Sequence, residues 1–194
     1  TADGETFDVG TTTRAALERF ERGNPALECG GFDEYDNGNG SLMRVLPLVF
    51  YLRAIYGPHF QDTSEAFDII HDVSALTHAH RRSQIACGIY LSIAAEILNG
   101  HVLDSAIHLG IRRATEYYES QTGFAEELSH FSRLSDEGFK DKPKAEISSS
   151  GYVVSSLEAA LWCLLNTNGY AGCVLEGVNL GDDTHTVAAI AGEL

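Results

Sequence analysis

RSQIACGIYLSIAAEILN, residues 82–99, sets Ile85, Ile89, Ile93 and Ile97 four apart, with Ala86, Ala94 and Leu98 beside them. Side chains at that spacing stack on one face of an α-helix. The stripe is broad, which predicts a helix with neighbours on several sides, the place of a central member in a bundle.

The same period recurs outward in both directions. Leu103, Ala106, Ile107, Gly110, Ile111, Ala114, Tyr117 and Tyr118 form a second stripe; Val153, Val154, Leu157, Leu161, Leu164 and Leu165 form a third. Helices are predicted near residues 11–22, 42–56, 64–77, 82–99, 103–119, 123–134, 152–166, 170–179 and 184–193. Strand-like alternation is scarce, so the fold class is all-α. With 194 residues and no internal repeat, low-complexity tract or composition break, one domain over residues 1–194 is expected.

Thirteen basic and 28 acidic side chains leave a net charge of −15. Such a surface repels phosphate backbones and anionic lipid, which argues against nucleic acid and membrane as partners. The opening TADGETFDVG has neither the basic nor the apolar region of a leader, and no stretch approaches the roughly 18 apolar residues of a membrane span. Cys29, Cys87, Cys163 and Cys173 show no CxxC spacing, and three sit in apolar helical patterns. Reduced thiols and a cytoplasmic location are expected.

Two loops interrupt the helices. CGGFDEYDNGNG, residues 29–40, is rich in Gly, Asn and Asp, can adopt positive φ and bring backbone N–H groups close to a ligand, and runs into a helix capped by Ser41. A phosphate fits against such a helix start, although an ordinary turn has the same composition. SDEGFKDKPKAEISSSG, residues 135–151, has the composition of a surface excursion or a lid. In THAH, residues 77–80, His78 and His80 precede Arg81 and Arg82, a set suited to a phosphate or to a helix C-terminal dipole; His71 and His78 share a helical face.

GDDTHT, residues 181–186, crowds Asp182, Asp183, Thr184, His185 and Thr186 before a short apolar helix. Adjacent carboxylates repel unless something positive faces them. One aspartate suffices as an N-cap, with Asp183 placed for it; the additional oxygens suit Mg²⁺, Mn²⁺ or Ca²⁺, while the His185 imidazole favours softer ions. Capping with surface charge, and a cation site, both account for the pattern.

Four ordered blocks, NGNGSLMRVLPL at 37–48, SALTHAHRRSQIACGIY at 74–90, GYVVSSLEAALWCLL at 151–165 and NLGDDTHTVAAIAG at 179–192, resemble the ADP-ribosylglycohydrolase family. The resemblance implies a compact orthogonal helical bundle with a two-metal site, Mg²⁺ or Mn²⁺. Such enzymes release ADP-ribose from a modified protein side chain or small molecule. It assigns Asp183, Thr186 and, in place of the usual aspartate, His185 to metal, and Gly38, Asn39, Gly40 and Ser41 to the loop bordering the diphosphate. His78 falls near the substrate and Tyr152 in the block lining the adenosine side.

The family's opening acidic motifs have no counterpart, and the chain begins at a segment like FDVGTTT, residues 7–13. The reading is therefore a domain truncated at its N-terminus and shortened at its C-terminus, with half a metal site. A homo-oligomer or a complementing segment would complete it; an ADP-ribose-binding pseudoenzyme is the alternative.

Overall fold

A computed structural model describes residues 9–194; residues 1–8, with the start of the FDVGTTT segment, lie outside them. Eight α-helices are present among the described residues: α1 (Thr11–Glu21), α2 (Leu48–Tyr56), α3 (Ser64–Ala75), α4 (Arg81–Leu98), α5 (Leu103–Glu119), α6 (Val153–Asn166), α7 (Gly169–Val178) and α8 (Thr184–Glu193). Among these residues extended pairing is confined to two isolated bridges, Gly31 with His78 and Gly38 with Tyr152. None of the helices is long and apolar enough to cross a membrane.

The 82–99 segment forms α4, and its place is central. Every residue from Arg82 to Glu96 except Gln84 is buried, and the helix packs against α2, α3, α5 and α6. Burying one large aliphatic side chain contributes about 1.5–3 kcal/mol, so the four-isoleucine ridge is a main source of stability. α6 exceeds its predicted stripe: Ser156, Glu158, Ala159, Ala160, Trp162 and Cys163 are buried too, and it forms a second internal helix against α4, α7 and α8.

Glycines set the closest helix approach. A methyl on Gly110 of α5 would lie 2.5 Å from the backbone N and Cα of Ile93 in α4, a separation that only a missing side chain permits. The buried Glu96 carboxylate of α4 ties the same pair: its Oε1 is 2.9 Å from Nε of half-buried Arg113 in α5, and its Oε2 is 3.2 Å from Nε2 of exposed His101 just before α5.

Several predicted elements differ. The helix expected over 42–56 is split into a single 3₁₀ turn, Leu42–Arg44, and α2, because Pro47 lacks an amide proton and starts a helix better than it continues one. Residues 123–134 are not α-helical; Ala125–Ser135 winds as a 3₁₀ run. The 135–151 excursion is no free lid, since Phe139, Ile147 and Ser149 are buried and Lys142 O accepts a hydrogen bond from Trp162 Nε1 at 3.1 Å. All four cysteines are buried and free.

Candidate functional site

Five separate segments meet at one cleft of about 670 Å³, lined by Thr11–Thr13 at the start of α1, Gly38–Gly40 with Met43 and Arg44, His78, Gly151, and Asp183, His185 and Thr186. The 29–40 loop is brought there by backbone pairing. Gly31 N donates to Thr77 O at 3.0 Å and Ala79 N to Gly31 O at 2.7 Å, which clamps the loop onto the α3–α4 connection. Asn39 N donates to Gly151 O, and Asp183 N to Ser149 O, each at 3.0 Å. Residues 149–151 therefore sit between the glycine loop and the GDDTHT turn.

Seven predicted positions, Gly38, Asn39, Gly40, His78, Asp183, His185 and Thr186, line this cleft. Ser41 and Tyr152 do not. Ser41 is buried below the loop, makes no helix cap through its side chain, and its Oγ receives the Cys87 thiol at 3.6 Å. Tyr152 is half-buried, and the Arg82 guanidinium carbon lies 5.8 Å from its ring centroid.

The glycines of residues 29–40 all keep negative or extended φ; positive φ occurs instead at Gly181 (97°) and Asp182 (50°) in the GDDTHT turn. In the loop glycine serves close approach: a methyl on Gly40 would lie 2.8 Å from His78 Cε1, and one on Gly38 3.4 Å from His78 Nε2. His78 lies beyond the end of α3 and does not share a helical face with His71, which pairs through Nε2 with Tyr118 Oη at 3.0 Å. His80 serves the N-terminus of α4, not a helix C-terminus, its Nδ1 accepting from Arg82 N at 3.2 Å.

Thr77 Oγ1 pairs with His78 Nδ1 at 2.7 Å. Burial, aided by the Arg44 guanidinium and opposed by Asp36, pushes His78 down to about 4, so the ring is neutral near pH 7 and its Nε2 offers one hydrogen bond. Arg44 donates to Gly40 O at 2.9 Å and to Val73 O at 3.1 Å. Burial lowers its pKa, yet a guanidinium stays charged at neutral pH. Arg44 and the three threonines are cleft residues to which the sequence reading gave no role; the adjoining RVLPL and FDVGTTT segments were the signal.

Asp183 occupies the N-cap position of α8 without capping it. Its Oδ2 accepts from Asn39 Nδ2 at 2.7 Å. Its Oδ1 is shielded, has no hydrogen-bond donor among the described residues, and lies 3.3 Å from His185 Nδ1, an ion pair whenever that imidazole is protonated. Thr186 is buried nearby in the first turn. The capping explanation of the aspartates thus fails at Asp183, and a shielded carboxylate oxygen without a donor suits a cation. Among the described residues no three His, Cys, Asp or Glu side chains converge as metal ligands. One carboxylate and one hydroxyl fit Mg²⁺ or Mn²⁺ in kind, the imidazole suits Mn²⁺ better than Mg²⁺, and together they fill part of the roughly six positions such ions take.

This helical bundle has the fold of the ADP-ribosylglycohydrolases. That family's pattern matches residues 1–194, and the chain belongs to the family. It is 29% identical to the ADP-ribosylarginine hydrolase Tri1 of Serratia proteamaculans (strain 568), over 100% of this chain and 47% of that protein. It is 31% identical to Tri1 of Pseudomonas putida (strain GB-1), over 99% and 46%. Against the ADP-ribosyl-[dinitrogen reductase] glycohydrolase of Rhodospirillum rubrum it is 26% identical, over 96% and 54%. A solved structure described as an ADP-ribosylglycohydrolase-related protein complex superimposes with a TM-score of 0.67 at 26% identity, covering 95% of this chain and 57% of that one. The chain spans about half the length of the curated relatives it matches.

Proposed function

We propose that this chain carries the ADP-ribose-handling cleft of a hydrolase that cleaves the bond between ADP-ribose and a modified side chain, with arginine as the acceptor named for its Tri1 relatives. The observation that carries this reading is the meeting of Gly38–Gly40, His78 and the Asp183–Thr186 turn in one cleft. Asp183 Oδ1 and Thr186 would hold a Mg²⁺ or Mn²⁺ ion beside His185. The ion would supply charge stabilisation and orientation of ribose hydroxyls and water. Arg44 gives the cleft a fixed positive charge for a diphosphate, and neutral His78 offers Nε2 to a substrate hydroxyl without adding charge. Water would fill the positions that protein oxygens leave open.

ADP-ribosylarginine peptide incubated with the chain and Mn²⁺ or Mg²⁺ is expected to release ADP-ribose, read by chromatography, and EDTA is expected to stop the release. The donor set of the described residues, with fewer than three convergent His, Cys, Asp or Glu groups, favours one second reading, ADP-ribose binding without turnover. Calorimetric binding that survives EDTA, with no release, would select that second reading. Absence of binding and of release would remove both.

A further inference from the structure

The Asp183 carboxylate is divided. Oδ2 is held by Asn39 at 2.7 Å, whereas Oδ1 is shielded, receives no hydrogen bond among the described residues and faces His185 Nδ1 at 3.3 Å. What divides it is a single amide. Asn39 Nδ2 has two protons to give; one goes to Asp183 Oδ2 and the other to Ser156 Oγ at 2.8 Å. Ser156 in turn donates its own proton to Ser150 O at 2.9 Å. The hydroxyl can therefore only accept from Asn39, and a flipped amide would set its carbonyl oxygen against both the carboxylate and the hydroxyl oxygen. The orientation of Asn39 follows from this network.

The groups around the amide are equally constrained. Asn39 is buried, its N–H donates to Gly151 O, and its carbonyl accepts from Met43 N, each at 3.0 Å. Ser156 is fully buried in α6. At the other end, Asp183 N is bound to Ser149 O at 3.0 Å, and Ser149 Oγ donates to Gly181 O at 2.8 Å. A methyl on Gly151 would lie 3.5 Å from Asp183 Oδ2. The backbone of the turn is thus fixed independently, and Asn39 acts on the rotamer of Asp183 alone.

An aspartate at an N-cap position ordinarily turns its carboxylate onto the first free amides of the helix. Asp183 makes no such bond. We propose that Asn39, oriented by Ser156, is a positioning residue that withholds Asp183 from capping α8 and leaves Oδ1 as the valence offered to a divalent cation. This rests on the cation reading given under Proposed function. It also gives the asparagine between Gly38 and Gly40 a task distinct from the backbone role of its neighbours: the glycines leave room for His78, and the amide reaches across to the metal turn.

The test uses the whole chain and its Asn39→Ala and Ser156→Ala variants, with Mn²⁺ alone as the probe, read by the spin-resonance signal of the free ion. Metal-free crystal structures and unfolding temperatures accompany it. Asn39→Ala is expected to weaken Mn²⁺ about tenfold or more, the usual effect of removing a group that orients a ligand, with the Asp183 carboxylate turned onto the α8 amides. Ser156→Ala is expected to fold and to weaken Mn²⁺ by roughly threefold, a smaller effect of the same kind. It carries the decision if Asn39→Ala does not fold.

Unchanged Mn²⁺ affinity in the folded variants, with Asp183 in place, overturns the proposal. Lower unfolding temperatures with unchanged affinity mean a structural role and also overturn it. If the unmodified chain binds no Mn²⁺, the cation reading fails, and the rotamer of Asp183 in the two variants still decides whether Asn39 positions it.

Discussion

Gly38 and Gly40 stand two residues apart on one loop, and His78 separates their roles. A methyl at Gly40 would press on His78 Cε1 at 2.8 Å and approach Thr13 Oγ1 at 3.3 Å, whereas one at Gly38 would stay 3.4 Å from His78 Nε2. The first separation is below any ordinary carbon contact; the second is van der Waals contact. Gly40→Ala should therefore displace the imidazole and weaken ADP-ribose binding about tenfold or more, as sub-ångström misplacement in a site does. Gly38→Ala should stay within about threefold, for want of such a clash. Calorimetry on the two variants checks this, and equal affinities would mean that His78 has room to move. The glycines, His78 and Asp183 were legible because each lies in a short, compositionally unusual run. Arg44, held by the Val73 carbonyl 29 residues on, and the hydrogen bond from Asn39 to Asp183, 144 residues apart, were not, because no local pattern encodes such meetings.

At the scale of elements, the helical period located α4, α5, α6 and α8 to within two residues of where they lie, since each buries an apolar face whose spacing is the signal. The 42–56 helix was misread because its apolar content runs through Pro47, whose missing N–H outweighs the pattern. The 135–151 segment is the surface excursion its composition predicts, but that it is tied down was hidden, because its anchors, Phe139, Ile147 and Ser149, are sparse among charges. Helix contact also supplies a sharp comparison. Gly110→Ala puts a methyl 2.5 Å from the Ile93 backbone, so α5 must move off α4; Gly100 has positive φ (89°) but open space around it. Overpacking typically costs about 1–3 kcal/mol, and the figure at a backbone contact belongs at the upper end. Alanine at Gly100 should cost about 1 kcal/mol through backbone strain alone. Denaturant unfolding of both variants measures the order, and a Gly110→Ala chain as stable as Gly100→Ala would show that the α4–α5 contact is looser than drawn.

For the molecule as a whole, an acidic excess of 15 charges and buried histidines pull stability in opposite directions as pH falls: protonating carboxylates relieves repulsion, and charging a buried imidazole costs desolvation. His71 isolates the second effect, because it lies away from the cleft. Its Nε2 meets Tyr118 Oη at 3.0 Å and its ring stacks on Phe124 at 4.7 Å. Burial pushes His71 down to about 4, against about 6.5 in an unfolded chain. Between those values the unfolded state binds the extra proton, so stability from this group rises with pH. It is fully present above pH 6.5 and is lost as pH falls toward 4. A change of that size corresponds to roughly 3 kcal/mol. Phe in place of His71 keeps the stacked ring and leaves Tyr118 Oη its bond to Gln84 O at 3.2 Å, while removing the titrating group. The unfolding free energy of the unmodified chain should therefore fall relative to His71→Phe as pH drops from 6.5 to 4, with the two curves parallel above pH 7. Curves that stay parallel down to pH 4 would show that the His71 imidazole takes up its proton in the folded chain as easily as in the unfolded one.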